Sequence, residues 1–366
     1  MKLLLLAGEE SGVLYAERIR AEVLQAHPDA EIRGYGDYGF KTGDLAVMGV
    51  GQVLRRIFYF LRVKRTMQRA IDEWKPDAVC TVDYPGMNLK LAAYAKARGV
   101  RAVHVVCPQV WAWKKGRIPK IEAALDRLCC FFPFEPELFK PGFAEFVGHP
   151  LVDAFASEVK VKGERERRSG KVLALLPGSR LGEIEKILPT ALEVVENLQR
   201  EIPGLMVVIP AANDRAYRAI SSCVSRLKSS SLRVTHGGAR AALRDADAAI
   251  VASGTATLEA ALAGCPTVLV YKVGWLFAFL ARRFIRDIRH IGLANVIAEK
   301  ADVSCPMPEL LQENFTAGSV LASIRPLLED ENANVAARQS LADTMKFLRS
   351  DGGAIARIAN ALVART

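Results

Sequence analysis

The sequence predicts an α/β protein built as two doubly wound, Rossmann-like domains facing a cleft. Three observations predict it. Short apolar runs alternate with helix-length segments along both halves of the chain. The runs lack polar alternation, as expected of parallel strands covered on both faces by helices. Several of them end in turns of glycine and hydroxyl residues that open a helix, the place where open α/β sheets bind ligands.

Taken in order, the first half offers strands at Leu3 to Ala7, Ala78 to Val82, Ala102 to Val106 and Leu128 to Phe132. The second half repeats the pattern with Val172 to Leu176, Leu205 to Ile209, Ala248 to Ala252 and Thr267 to Val270. Charges crowd around Val159, Val161 and Gly163 in Glu158 to Lys171, which marks a linker. The expected division is therefore a first domain at 1–157, a linker at 158–170 and a second domain at 171–366. From about Ser319 the chain is helix-rich, and these terminal helices are free to pack back on the first domain.

At 366 residues there is room for two substantial cores. No uninterrupted apolar run approaches the roughly 20 residues that span a bilayer. Met1 to Gly8 is followed at once by Glu9 and Glu10, so it reads as a first strand rather than a signal peptide, and a cytoplasmic location is expected. The seven cysteines lack metal-ligand spacing and include Cys129-Cys130 in an apolar strand, so free thiols are expected. A formal charge of +10 calls for an acidic partner. Without zinc-finger, KH or RRM signatures, nucleic acid is the weakest choice.

Three turns carry chemistry. In Val251 to Leu262 an apolar strand, a small-residue turn (Ser253, Gly254, Thr255, Ala256) and a helix start follow one another. Backbone N–H groups at such a helix start bind anions. Glu259, one turn on, adds a carboxylate able to accept from sugar hydroxyls, so a nucleotide is suggested. Leu176-Pro177-Gly178-Ser179-Arg180 sets a glycine, a hydroxyl and a guanidinium after another strand. Arg180 suits a phosphate, or else pairs with Glu183 or Glu185 on its own helix. Gly8-Glu9-Glu10-Ser11-Gly12 after the first strand is not a clean dinucleotide fingerprint.

Together these segments resemble the lipid-A-disaccharide synthase family of GT-B-type inverting glycosyltransferases. Further residues carry the likeness: Leu45 to Gly49, Asp83-Tyr84-Pro85-Gly86-Met87-Asn88, Pro108-Gln109-Val110-Trp111-Ala112-Trp113, Gly148-His149-Pro150 and Pro308 to Gln312. The resemblance implies transfer of a sugar from UDP-2,3-diacylglucosamine to 2,3-diacylglucosamine 1-phosphate, the acylated glucosamine phosphate acceptor. It implies a protein lying peripherally on the anionic inner-membrane surface. Oligomeric state is left open, a homodimer included.

Asp83 occupies the position that resembles the family's catalytic aspartate, and inversion needs a base to take the proton of the acceptor hydroxyl. The alternative is a carboxylate that caps the helix from Met87. On the donor side Gly178, Ser179, Arg180 and the backbone from Ser253 to Ala256 would hold the diphosphate without a metal or other cofactor. Glu259 would hold the ribose, and Asn295 and Gln312 resemble family positions near the nucleotide. On the acceptor or lipid side stand Ser11, Gly12, Asn88, Trp111, Trp113 and His149. Asp245-Ala246-Asp247 resembles a metal-binding DxD but precedes its strand, at the wrong sheet edge for a ligand.

Two stretches mix apolar and basic residues, Val53 to Arg65 and Trp275 to Arg286. In the first, Leu54, Ile57, Phe58 and Leu61 follow helical spacing between Arg55, Arg62 and Lys64, as in an interfacial helix. A half-buried helix with snorkelling arginines reads the same way. The chain departs from the family pattern at Val13, Gly36 to Phe40, Gln52, Cys107 (a serine in the pattern) and Ala294. Most of these lie in the first half, so acceptor identity is less fixed than UDP-sugar binding. A glycosyltransferase with another lipid or glycan acceptor, or a non-catalytic UDP-sugar-binding paralogue, would share the donor loops.

Overall fold

The computed structural model describes residues 1–41, 57–112, 115–159, 170–225, 227, 231–273 and 289–363, without the side chains of 10–11 and 157–159. The chain forms two compact units, Met1–Asp153 with Leu348–Thr366, and Ala154–Phe347.

The first unit runs β1 (Lys2–Ala7), α1 (Glu10–Ala26), β2 (Glu31–Arg33), α2 (Ile57–Trp74), β3 (Ala78–Val82), α3 (Pro85–Lys96), β4 (Arg101–Val105), α4 (Ile118–Ala124), β5 (Arg127–Cys130) and β6 (Ala144–Phe146), and α5 (Pro150–Val159) leads out of it. The strands form one parallel sheet in the order β2-β1-β3-β4-β5-β6. Side chains alternate across the pleat. Leu3 and Leu5 join Ile19 and Val23 of α1 on one face, while Leu4 and Leu6 meet Met67 and Ile71 of α2 and Leu91 of α3 on the other. Apolar runs without alternation are the direct product of burial on both faces.

The second unit runs β7 (Val172–Leu176), α6 (Leu181–Glu201), β8 (Met206–Ala211), α7 (Asp214–Val224), β9 (Leu232–His236), α8 (Ala239–Asp245), β10 (Ala248–Ala252), α9 (Thr255–Leu262), β11 (Thr267–Tyr271), α10 (Leu293–Lys300), β12 (Glu309–Leu311), α11 (Ala317–Glu329) and α12 (Glu331–Lys346). Its parallel sheet has the order β12-β11-β10-β7-β8-β9. Ile184, Ile187, Leu188 and Ala191 of α6 pack on Leu173 and Leu175 of β7. The last helix, α13 (Ala354–Val363), belongs to the first unit, where Ile358, Ala359, Ala361 and Leu362 close the face of Leu3 and Leu5. There Arg101 donates to the Ala361 carbonyl (3.0 Å) and Arg357 pairs with Glu145 (2.7 Å).

Four strands escaped the sequence reading: β2, β6, β9 and β12. All four are sheet edges. Edge strands are short and half-solvated, with no continuous apolar run to betray them.

Candidate active site

In each sheet the strand order reverses at one point, the place beyond the strand carboxyl ends where doubly wound sheets bind ligands. In the second unit that point lies between β7 and β10, where Leu176 stands opposite Val251. The loops after both strands, with the ends of β8 and α8, enclose a cavity of about 330 Å³. It is lined by Gly178, Ser179, Arg180, Ser253, Gly254, Thr255, Ala256 and Glu259, so eight of the ten donor-side residues read from the sequence come together here.

Two glycines shape this wall. Gly254 precedes α9 with φ 146° and ψ −164°, a conformation essentially closed to other residues. Gly178 has φ 113°, and a Cβ added there would sit 2.7 Å from Glu183 Oε2. The first-turn N–H groups of Thr255 and Ala256 have no intrahelical acceptors and stand at the positive end of the helix dipole. One expected donor is corrected: the Ser253 N–H is committed to the Val270 carbonyl at 3.1 Å. Of the expected backbone donors, those from Gly254 to Ala256 remain.

Two carboxylates line the cavity, each with a guanidinium. Arg180 Nη1 lies 3.0 Å from Glu183 Oε1, with the arginine side chain 59% exposed. Glu259 accepts from Arg240 Nε at 2.9 Å. Arg240, Glu183, Gly237 and Ala239 were not read as site residues. The Gly237-Gly238 turn after β9 was the only sequence signal for this part of the wall.

Asn295 and Gln312 do not line the cavity. Asn295 is buried and its amide is fully committed, donating to the Met307 carbonyl (2.7 Å) and Glu309 Oε1 (2.8 Å) and accepting from the Met307 N–H (3.1 Å). The Gln312 amide bonds both backbone groups of Val273, at 3.2 and 3.3 Å. Both residues brace segments around β11 and β12. Asp247 lies at the opposite, amino edge of the sheet, where Oδ2 accepts from the Val172 N–H at 2.8 Å.

In the first unit the reversal falls between β1 and β3, with Ala7 opposite Val82. Asp83 follows β3 directly. It and Tyr84 both take left-handed backbone angles, φ 51° each, which costs about 1 kcal/mol or more per residue. Such strain persists only where the surroundings enforce it, and here they do. The Asp83 N–H donates to the Val105 carbonyl at 2.9 Å, and the Asp83 carbonyl accepts from Asn88 Nδ2 at 2.8 Å. That amide also reaches the carbonyls of Leu6 (3.2 Å) and Val82 (3.1 Å), while Asn88 Oδ1 accepts from Tyr35 Oη at 2.8 Å. Asn88 thus ties the ends of β1 and β3 together beneath Asp83. The carboxylate does not cap α3; Oδ1 accepts from the adjacent Tyr84 N–H at 2.8 Å, and α3 starts without a side-chain cap. Burial raises the Asp83 pKa against this one N–H, a shift that suits a base.

Of the other residues read for the acceptor or lipid side, Gly12, Trp111 and His149 pack within the first unit. Gly12 sits in the first turn of α1 against the Val82 carbonyl. Trp111 is buried edge-to-face with Phe134, ring centroids 5.6 Å apart. His149 is buried among Phe131, Phe132 and Tyr15, and its Nδ1 accepts from the Leu151 N–H at 3.2 Å. Desolvation lowers its pKa to about 3, so at neutral pH it is an uncharged packing residue. The Ser11 side chain and all of Trp113 lie outside the described residues, as do Leu45 to Gly49, Gln52, Val53 to Arg56 and Trp275 to Arg286.

Comparison with known proteins bears on this arrangement. Residues 3–359 match the family model described as lipid-A-disaccharide synthetase. The chain is similar to the lipid-A-disaccharide synthase of Burkholderia mallei (strain NCTC 10229), 38% identical over 361 residues, covering 94% of this chain and 90% of the relative. The synthase of Syntrophus aciditrophicus (strain SB) is 33% identical over 368 residues, covering 96% and 94%. Among solved structures, UDP-GlcNAc 2-epimerase from Neisseria meningitidis bound to UDP-GlcNAc aligns with a TM-score of 0.63 at 12% identity, over 99% of this chain and all of that one. That likeness is one of fold.

Proposed function

Because this chain belongs to the lipid-A-disaccharide synthase family, it is a glycosyltransferase of lipid A biosynthesis with a UDP-sugar donor, and we propose that Asp83 is its base and the β7–β10 cavity its diphosphate site. The single observation that carries the reading is the convergence of eight donor-side residues on one cavity at the sheet's reversal point. The acceptor is 2,3-diacylglucosamine 1-phosphate. Transfer forms the bond from its hydroxyl oxygen to the donor's anomeric carbon and releases UDP.

The leaving diphosphate gains negative charge as the glycosidic bond breaks. The N–H groups from Gly254 to Ala256 and the Arg180 guanidinium stabilise it; once Arg180 turns from Glu183 to phosphate, it makes a charge-assisted pair. Glu259, oriented by Arg240, accepts from the ribose hydroxyls. Mixing UDP-diacylglucosamine with the acceptor should release UDP in step with disaccharide, whereas UDP binding without turnover would leave only a nucleotide-binding protein. In the same assay Arg180→Ala should raise the donor KM about tenfold or more, as loss of a charged hydrogen bond implies. Unchanged donor kinetics would remove Arg180 from the phosphate.

The acyl substrates reside in a bilayer, and α2 supplies a surface for one. Val63, Met67, Ala70 and Ile71 face the core, while Ile57, Phe58 and Leu61 are exposed, Phe58 to 82%. Phe58 and Leu61 share a surface hollow with Arg62, Arg65 and Arg69. Apolar side chains among cations are what an anionic lipid surface attracts, at about 1 kcal/mol per basic residue. No helix among the described residues is long and apolar enough to cross a membrane. The chain should float with anionic vesicles at low salt and Phe58→Ser should weaken flotation; equal recovery with neutral vesicles would refute the contact.

A further inference from the structure

Where β4 and β5 end, the first unit gathers two thiols and a carboxyl that the transfer reaction does not use. Cys107 follows β4, Cys130 closes β5, and Glu135 comes from the turn beyond it. The Cys107 and Cys130 sulfurs and a Glu135 oxygen all lie within 4.8 Å of one another. The three residues are 3%, 0% and 1% exposed. Glu135 Oε2 accepts from the Phe132 N–H at 3.1 Å, and among the described residues no lysine or arginine pairs with this carboxyl. The Pro108 carbonyl, 3.3 Å from Cys107 Sγ, is a further oxygen beside them.

A carboxylate taken out of water needs a cation or a proton. Two sulfurs and an oxygen converging in a closed pocket form the donor set of a thiophilic d¹⁰ ion. We propose that Cys107, Cys130 and Glu135 hold one zinc-class divalent cation as a structural staple. The ion would join the segment after β4, which carries Trp111, to the turn after β5, which carries Phe132 and Phe134. Trp111 already packs on Phe134, and Phe132 stacks on Phe134 with centroids 5.7 Å apart. The staple therefore fixes the aromatic layer against His149. With donors this buried, the ion is loaded as the chain folds rather than afterwards.

The test is metal content of the full-length chain produced in zinc-supplemented and, separately, cobalt-supplemented medium, purified with a reductant and dialysed against EDTA. The expected result is about one ion per chain, with a thiolate-to-cobalt charge-transfer band in the cobalt form, as thiolate ligation demands. Cys107→Ser keeps size and polarity and should lower retained metal by about tenfold or more, as should Glu135→Gln. Cys305→Ser, at the exposed cysteine of the second unit, should change nothing. A parent chain that leaves dialysis free of metal, or a Cys107→Ser chain that retains as much as the parent, overturns the proposal.

Discussion

Asp83→Asn should lower the turnover of sugar transfer by about 10²- to 10⁴-fold, the usual range for a lost general base. Donor binding should stay within experimental scatter, because the residues lining the donor cavity belong to the other unit. Asparagine also tolerates the left-handed backbone that Asp83 adopts, so the variant should fold. The pH profile offers a second reading. The base must be ionised to accept a proton, and burial has raised its pKa, so the parent's activity should fall with decreasing pH above the ordinary carboxylate range. Asparagine should abolish that acid limb. Stability should move the other way. A carboxyl whose folded pKa exceeds its unfolded value binds its proton more tightly when folded, so it costs stability as pH rises from the unfolded value through the folded one. At neutral pH Asp83→Asn should therefore melt no lower than the parent. A variant less stable yet still active would remove Asp83 from the mechanism.

Gly254→Ala should reduce kcat/KM for the UDP-sugar by about 10²-fold, the effect of losing one well-aimed oxyanion donor. No clash is involved, since nothing lies within 4 Å of the added Cβ. The cause is the backbone. At φ 146° and ψ −164° an alanine is strained by about 1 to 3 kcal/mol, and the turn relieves this by rotating the N–H groups that open α9 away from the phosphate. Calorimetric titration with UDP should show the same loss as the kinetics, because leaving group and free nucleotide use the same donors. Normal UDP affinity in Gly254→Ala would mean that the α9 turn is not the diphosphate site.

Much of this site was legible in residue order. The eight central strands and both donor loops followed from uninterrupted apolar runs that end in glycine and hydroxyl residues, since burial on both faces and a tight turn leave no other composition. What escaped depended on contacts distant in sequence. Nothing near Asn295 says that its amide is saturated by Met307 and Glu309. Nothing near Cys107 says that Cys130 and Glu135 converge on it, because that meeting is made by the parallel pairing of β4 with β5. The paired left-handed residues Asp83 and Tyr84 carry no glycine to announce them; they are held by the Asn88 amide and the Val105 carbonyl. The exposed apolar positions of α2 were visible as a periodic stripe. Which side of that helix would meet the core was not.

The return of α13 to the first unit has a consequence for how the chain is made. Val82, Val103 and Val105 share their sheet face with Ile358 and Leu362, residues about 250 or more positions downstream. On the ribosome that face stays incompletely covered until Ile358 and Leu362 have been made, whereas Ala154–Phe347 is continuous and can complete itself as it emerges. The half translated first is thus the half finished last, and it is the half most in need of chaperone cover.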